Sequence, residues 1–336
     1  MNAIAKSPFA WLLRREYWEE RRGFLWAQVT ATAVILGISI LGIIAAEVFR
    51  ARMGVHVSGP WGGANLNEML RSASAHDITQ LVNGLDMTLL MFGGIASVVL
   101  FFVVFFYLLG ALYDDRRDRS IMFWKSLPVS DTATVVSKVI AAVIIAPLIA
   151  TVVALAGYIC MQVVVSLWFL AHGVNPLGLL WAHVEPFALW LRLLAMIPVN
   201  AVWALPTVGW LLFWSAAARS KPFLWAVVIP VIAGVLNFWI GLLGLPHIDA
   251  KVFWGDLVAR LLLGVAPAGW VSSNPAIPMV RISPNDVSLG SGDQLSAISY
   301  SAMAHAFTLP TMWIGAIVGI VLIAAAIWFR RWRDEA

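Results

Sequence analysis

Three closely spaced aspartates are the first residues in this chain whose types and spacing suggest chemistry. Asp114, Asp115 and Asp118 form the pattern Asp-Asp-x-x-Asp, which can hold Mg²⁺ on a diphosphate group. Carboxylates four residues apart share one face of a helix, so metal binding is physically feasible. That chemistry normally needs a second acidic motif facing the first, and the other Asp and Glu residues provide none. A solvated charged turn with ion pairs is therefore the simpler interpretation.

The segment that follows combines charges with large apolar side chains. Its apolar part is four consecutive residues, Ile121, Met122, Phe123 and Trp124. The pattern predicts a short amphipathic helix over residues 120–127, which Pro128 ends. Either Ser130 or Asp131 can cap the helix that comes next. A loop that only reversed the chain would not need four such residues, so we expect them to contact another protein or the lipid interface.

This segment resembles the signature of the type-2 ABC exporter permeases. In that family an acidic-basic pair leads into an apolar stretch, then Leu-Pro-Val-Ser, then a Lys on the following helix. The matching positions here are Asp118-Arg119, residues 121–124, Leu127-Pro128-Val129-Ser130 and Lys138. Ser120 departs from the pattern, because many members carry Gly there.

The resemblance implies that the loop between spans two and three holds a coupling helix that docks on an ATPase subunit. The expected interface residues are Asp118, Arg119, Ile121, Phe123, Trp124, Leu127 and Pro128. It also implies three kinds of partner: a separate ABC ATPase, membrane lipid, and a second permease copy in a homodimer, with a heterodimer as the alternative. No cofactor, catalytic residue or nucleic-acid partner is expected in this chain, because ATP and Mg²⁺ would be bound by the ATPase.

The chain carries no nucleotide-binding P-loop of its own. That motif requires Gly-Lys followed by Ser or Thr, and no Gly-Lys dipeptide occurs in the 336 residues. An ATPase of that type would therefore be a separate polypeptide. None of the six histidines has the close spacing to other ligands that a metal site needs, so no metal site is predicted.

Composition places these motifs in a membrane protein. The chain is 61% hydrophobic and 12% charged, whereas soluble domains carry about 25% charged residues. Several uncharged runs exceed the ~20 residues that cross a bilayer. We predict an all-α integral membrane protein with one transmembrane domain over residues 1–336. Its six spans are expected at about residues 24–46, 86–113, 135–171, 190–218, 223–245 and 309–329.

Two further helical features are predicted outside the spans. An N-terminal elbow helix in the membrane interface is predicted over residues 1–23, because residues 8–23 alternate apolar and charged positions at helical spacing. Its aromatic residues are Trp11, Tyr17 and Trp18. A short outer amphipathic helix pair is predicted between spans five and six, with an apolar stripe of Val252, Phe253, Leu257, Val258, Leu261 and Leu262.

The placement of Lys and Arg predicts the orientation. The N-terminal segment, the loop after span two, the turn after span four and the tail hold fourteen basic residues, whereas the loops on the other side hold six. Basic loops stay in the cytoplasm. We therefore expect a multi-pass protein of the bacterial inner membrane with both termini in the cytoplasm.

These features together predict the permease subunit of an ATP-driven ABC exporter that moves a hydrophobic or amphipathic substrate, such as a lipid, peptide or drug, out of the cytoplasm. Ionisable residues are nearly absent from the middle of the spans, which argues against an ion-coupled carrier. An intramembrane prenyl-transfer enzyme that uses Asp114-Asp115-x-x-Asp118, and a membrane assembly or scaffold subunit, are the alternatives.

Overall fold

The computed structural model describes residues 8–53, 75–118, 129–173, 175–176, 181, 186–271 and 299–332. Every regular element in these ranges is helical. Six helices are long and apolar enough to cross a membrane: Arg22–Phe49, Met91–Arg117, Asp131–Ala171, Phe187–Ala217, Pro222–Leu242 and Pro310–Trp332. We call them spans 1 to 6. The prediction of an all-α chain with six such helices is confirmed.

The helices extend beyond some of the predicted spans. A separate N-terminal helix, Pro8–Glu19, precedes a π-helical turn, Arg22–Trp26, and the helix Ala27–Met53. Most of span 2 belongs to the helix Ala75–Gly110, which begins ahead of the predicted residue 86. The prediction followed the uncharged run of the span, and residues 75–86, which mix charged and polar side chains with apolar ones, lie outside that run.

Span 3 begins with the helix Asp131–Ile140, continues through a π-helical turn at Ala141–Ile145, and ends with the helix Ala146–Ala171. Ser130 caps its start, because the Ser130 Oγ accepts a hydrogen bond of 3.1 Å from the Ala133 amide. Of the two predicted capping residues, the structure thus selects Ser130. The remaining long helices are Pro186–Ala217, Pro222–Leu242 and Pro310–Trp332.

Spans 2, 3, 4 and 6 form the centre of the bundle. In the most apolar stretch of span 2, 50% of the residues are buried, against 6% in span 1 and 17% in span 5. Spans 1 and 5 therefore lie at the periphery. Their exposed side chains are apolar, among them Ile38, Leu41, Ile232 and Leu236, as expected for helices that contact lipid or another membrane chain.

Spans 4 and 6 make the closest helix contact of the centre. Gly209 packs on the Gly319 carbonyl, and Gly319 in turn packs on the backbone of Leu205, so a Cβ at either glycine would overlap the other helix. Small residues let membrane helices approach closely and gain dispersion energy. Any larger side chain at Gly209 or Gly319 would push the two spans apart.

The segment between spans 5 and 6 enters the bundle. It contains a π-helical turn, Val252–Val258, the helix Ala259–Leu263 and, further along, the helix Tyr300–Ala306. The Thr207 hydroxyl on span 4 donates a hydrogen bond of 2.6 Å to the Arg260 carbonyl. Val265 packs in the same buried cluster as Val208 and Leu211. This segment therefore packs against the buried face of span 4 and does not lie only on the surface of the bundle.

The predicted apolar stripe of this segment is split between two faces. Phe253 and Val258 are buried, but Val252 and Leu257 are about half exposed. In the π-helical turn the amide of Ala259 bonds to the Trp254 carbonyl five residues back, so each turn holds more residues than the 3.6 of an α-helix. Residues spaced for an α-helix consequently leave the common face.

Arg260 anchors the segment to spans 4 and 6. Its guanidinium stacks 3.9 Å from the centre of the Trp203 ring, packs on Gly315, and donates hydrogen bonds to the Thr311 and Met312 carbonyls. Burial lowers the pKa of Arg260 to about 10. The side chain is still charged at neutral pH, and it is held by a cation–π contact and carbonyl oxygens.

Candidate functional site

A cluster of buried charges lies at the end of the bundle where span 2 ends and span 3 begins. Lys138 on span 3 is 3% exposed and Glu16 on the N-terminal helix is 1% exposed. The Lys138 Nζ lies 3.4 Å from both carboxylate oxygens of Glu16. The Tyr107 hydroxyl on span 2 donates a 2.8 Å hydrogen bond to Glu16 Oε2. The carboxylate is thereby joined to two different spans.

A second cation completes the cluster from span 6. Arg330 is 4% exposed, and its Nη1 lies 3.1 Å from Asp115 Oδ2 while its Nε lies 3.1 Å from Asp131 Oδ1. Asp115 is also 3.8 Å from the Lys138 Nζ. One guanidinium therefore binds the residues on either side of the charged loop, Asp115 just before it and Asp131 just after it.

We refer to Glu16, Asp115, Asp131, Lys138 and Arg330 as the charge cluster. It holds three carboxylates and two cations, and it connects the N-terminal helix with spans 2, 3 and 6. Removing one partner of a buried ion pair typically costs about 3–5 kcal/mol, because the other charge is left without compensation. The cluster is consequently a rigid junction between elements that are distant in sequence.

Glu20 shows that this region disfavours a further negative charge. Burial raises the pKa of Glu20, and the neighbouring carboxylates of Glu16, Glu19 and Asp114 raise it further, while the Lys138 ammonium opposes the shift. Glu20 is therefore a carboxyl group that binds a proton more readily than an exposed glutamate does.

Arg116 and Ser215 make a second junction beside the charge cluster. The Arg116 Nη2 donates to the Ser215 carbonyl at 2.6 Å and to the Ala218 carbonyl at 3.1 Å. The last carbonyls of a helix lack partners within the helix and attract cations. The Ser215 Oγ in turn accepts hydrogen bonds from the amides of Leu112 and Tyr113. The end of span 2 is thus fixed to the end of span 4.

The predicted coupling residues fall mostly outside the described residues. Asp118 is described, and its carboxylate is 69% exposed and 3.9 Å from the Arg117 guanidinium. The other six lie in the undescribed range 119–128: Arg119, Ile121, Phe123, Trp124, Leu127 and Pro128. The predicted amphipathic helix over residues 120–127 lies there as well.

The aspartates of the Asp-Asp-x-x-Asp pattern do not act as one group. Asp115 is bound by Arg330 and Lys138, whereas Asp118 is exposed beside Arg117. The interpretation of this stretch as a solvated turn needs correction for Asp115, whose side chain is 13% exposed. Within the described ranges, no group of three His, Cys, Asp or Glu side chains is placed to hold a metal ion.

The predicted elbow residues lie on the N-terminal helix but outside its buried face. Leu12 and Glu16 face the bundle, while Trp11 and Trp18 are more than half exposed and Tyr17 is partly buried. The Arg14 guanidinium lies 5.4 Å above the Trp11 ring, and the Arg21 guanidinium lies 5.3 Å above the Trp18 ring. The exposed side of this helix is therefore both aromatic and cationic.

Sequence reasoning singled out Lys138 only through the family signature and did not identify Glu16, Tyr107, Asp131 or Arg330 as members of a site. One signal was available. Asp131 and Lys138 are seven residues apart and so share a face of span 3, in a helix that carries no other charged residue. The partners on the N-terminal helix and span 6 become apparent only from the fold.

No protein-family model, curated protein or solved structure matches this chain. The case for a function therefore depends on the residues of the charge cluster and of the adjoining loop.

Proposed function

We propose that this chain is the membrane-spanning permease subunit of an ATP-driven exporter of the type-2 ABC class. A separate ATPase would bind the loop over residues 119–128, and a second permease copy would complete the path for a hydrophobic or amphipathic substrate. The observation that carries the proposal is that Asp115 and Asp131, which flank this loop in the sequence, both bind Arg330. The resemblance of the loop to the family's coupling segment supports it.

The charge cluster provides a route for mechanical coupling. When ATP closes the ATPase subunits, a docked loop would move with them, and Asp115 and Asp131 would follow. Because these carboxylates are bound to Arg330, and Asp115 also to Lys138, the motion would reach spans 2, 3 and 6 together. The bound nucleotide would thereby bias the permease between inward-facing and outward-facing arrangements.

The N-terminal helix would act as an elbow helix in the membrane interface. Its exposed Trp11 and Trp18 beside Arg14 and Arg21 suit a region where apolar chains meet charged headgroups. The Glu16–Lys138 pair joins this helix to span 3. The two short helices between spans 5 and 6 would lie toward the outer leaflet. The first of them, Ala259–Leu263, enters the bundle there and contacts span 4.

A prenyl-transfer enzyme has less support. A catalytic Mg²⁺ would have to compete with Arg330 and Lys138 for the Asp115 carboxylate, and a diphosphate substrate needs carboxylates that are free to bind the metal. A scaffold function gives no reason for a charge cluster that joins the residues flanking the loop to spans 2, 3 and 6.

Copurification with an ATPase tests the proposal. The full chain should be expressed with the ATPase encoded beside its gene, extracted in mild detergent and assayed for hydrolysis of ATP and for transport of a hydrophobic substrate in vesicles. We expect a stable complex whose ATP hydrolysis drives transport. Release of diphosphate from a prenyl substrate by the purified chain alone would instead establish the enzyme alternative and refute the transporter.

The orientation makes a prediction of its own. A reporter fused after Arg333, or inserted next to Asp131, should report the cytoplasm, and one inserted near Gly62 or Gly290 should report the opposite side. The physical reason is the excess of Lys and Arg in the first set of segments. The measurement is paired phosphatase and fluorescent-protein activity. A non-cytoplasmic signal at Arg333 would require an odd number of spans and would contradict the proposal.

Replacing Arg330 with Lys should separate binding from coupling. Lysine keeps the positive charge but lacks the planar fork that binds Asp115 and Asp131 together. We expect the ATPase to copurify at the normal stoichiometry, while the amount of substrate transported per ATP falls several-fold. Arg331→Lys is the matched control, because Arg331 is exposed at the adjacent position. Equal coupling in both variants would exclude Arg330 from transmission.

A further inference from the structure

A cavity of about 530 Å³ lies inside the bundle, separate from the charge cluster. Its walls are residues 93–101 of span 2, residues 147–154 of span 3 and residues 193–200 of span 4. The segment between spans 5 and 6 completes the lining through Leu263 and residues 266–268. Its volume is within the range of about 300–1,000 Å³ that binding sites for small molecules occupy.

The cavity wall is predominantly apolar, and each of its few polar side chains makes a hydrogen bond within the protein. No ionisable side chain is found among the described residues that line it. The Ser97 Oγ donates to the Gly93 carbonyl at 2.7 Å, and the Thr151 Oγ1 donates to the Pro147 carbonyl at 2.8 Å. The Asn200 Oδ1 accepts a 3.2 Å hydrogen bond from the Ala268 amide. Such a wall compensates neither a charge nor a cluster of waters, and cavities of this kind bind apolar molecules.

The mouth of the cavity is apolar too. Among the lining residues, Gly94 and Val98 on span 2 and Leu263 are exposed at the surface of the bundle. Span 2 is long and apolar enough to cross a membrane, so these residues face hydrocarbon or another membrane chain. A molecule would enter sideways, without crossing an aqueous surface.

The turn that carries the lining residues 266–268 is held in place by specific contacts. Ala268 has a positive φ of 63°, a backbone conformation that residues with a Cβ rarely adopt unless their surroundings hold it. The Asn200 side chain holds this turn through the Ala268 amide, and Gly269 packs against the Trp203 indole. This part of the cavity lining is therefore held in one position by Asn200 and Trp203.

We propose that this cavity binds one uncharged, predominantly apolar molecule taken from the membrane. Two sources share this chemistry, a drug-sized hydrophobic compound and the acyl chain of a resident lipid. The site is formed within one copy of the chain, so binding needs neither the ATPase nor transport. Failure of this inference and failure of the proposed function are thereby distinguishable.

Photolabelling of the purified full chain in lipid nanodiscs tests the inference. Two uncharged diazirine probes are used, a long-chain alcohol and a compact aromatic hydrocarbon, and the labelled peptides are identified by mass spectrometry. We expect label to concentrate on residues 93–101, 147–154 and 193–200. Label from the alcohol alone would indicate an acyl chain as occupant, and label from both probes would indicate compounds of either shape. Label spread evenly over the exposed faces of spans 1 and 5 would overturn the proposal.

A variant that narrows the mouth of the cavity, Gly94→Phe, tests whether the label enters there. A Cβ at Gly94 has no other atom within 4 Å, and Gly94 is an exposed residue of the cavity lining, so we expect the ring of Gly94→Phe to narrow the entrance. We expect labelling of the cavity peptides to fall about tenfold or more. A new side chain that competes with the ligand for the same space weakens binding by the energy that overpacking typically costs. Gly37→Phe on span 1 is the matched control, because Gly37 has equally open surroundings and does not line the cavity. Gly94→Ala should keep the wild-type labelling.

Folding is checked by the thermal unfolding midpoint of each variant. If Gly94→Phe does not fold, Gly93→Leu replaces it, since a Cβ at Gly93 would lie in ordinary contact with Leu193, 4.0 Å away. Equal cavity labelling in a folded Gly94→Phe or Gly93→Leu variant and in Gly37→Phe would refute the assignment.

Discussion

Replacing Lys138 with Met is expected to lower the free energy of unfolding by about 3–5 kcal/mol. Among the described residues, the substitution leaves the buried Glu16 carboxylate with the Tyr107 hydroxyl as its one hydrogen-bond donor, and it removes one of the two cations, Lys138 and Arg330, that contact Asp115. The measurement is denaturant or thermal unfolding of the purified chain in detergent. A loss below about 1 kcal/mol would show that the buried pair contributes little.

Two further variants separate charge from packing. The double variant Glu16→Gln with Lys138→Met removes both charges and keeps an oxygen that can accept the Tyr107 hydrogen bond, so we expect it to recover most of the lost stability. Arg117→Met is the matched control, since the Arg117–Asp118 pair is exposed at 3.9 Å and such pairs are worth about 0–1 kcal/mol. If the double variant is no more stable than Lys138→Met, packing and not charge explains the loss.

The second large effect is expected at the loop itself. Phe123 and Trp124 are adjacent large apolar residues in a segment between two charged flanks, and interfaces draw most of their binding energy from a few such anchors. Phe123→Ala or Trp124→Ala should leave the chain folded but weaken binding of the proposed ATPase by about 2–4 kcal/mol, a loss of roughly 30-fold or more in affinity. Titration of that ATPase onto the chain in nanodiscs measures this change.

The alternative for these two side chains is insertion into the lipid interface, where Trp is common. In that case the Phe123→Ala/Trp124→Ala double variant would bind the ATPase with the wild-type affinity and hydrolyse ATP normally with substrate. Trp11→Ala is a suitable control, because Trp11 is an exposed aromatic residue on the N-terminal helix. It should not change the affinity for the ATPase.

The spans could be predicted from the sequence because their signal is local. A bilayer requires about 20 apolar residues in a row, and each of the six helices meets that requirement alone. The end of span 4 also followed a local signal, because the short polar turn Arg219-Ser220-Lys221 separates two apolar runs and Pro222 begins the next helix. The extension of the span 2 helix to Ala75 carries Ile78, Leu81, Val82 and Leu85 at the spacing of an amphipathic helix, but the spans were identified by long uncharged runs and this extension was not predicted.

The charge cluster could not be predicted because its members are far apart in the chain. Glu16, Asp115 and Arg330 each lie close to the end of an apolar run, where single charges are usually solvated or topogenic. Whether such a charge is solvated or buried depends on which helix ends meet, and periodicity within one helix carries no information about that. The same holds for the cavity, whose walls come from three spans and a distant turn.

The π-helical turn at Ala141–Ile145 sets the angular register of span 3. There the Ala146 amide bonds to the Ala141 carbonyl, five residues back, so the helix contains one residue more than an α-helix of the same length needs. Each residue advances an α-helix by about 100°. Lys138 and Ala150, twelve positions apart, would point about 120° apart in an uninterrupted α-helix, but the extra residue brings them to within about 20°. One insertion thus lets a single helix present its ammonium group to the charge cluster and its small side chains to the cavity, both on the same side of the protein.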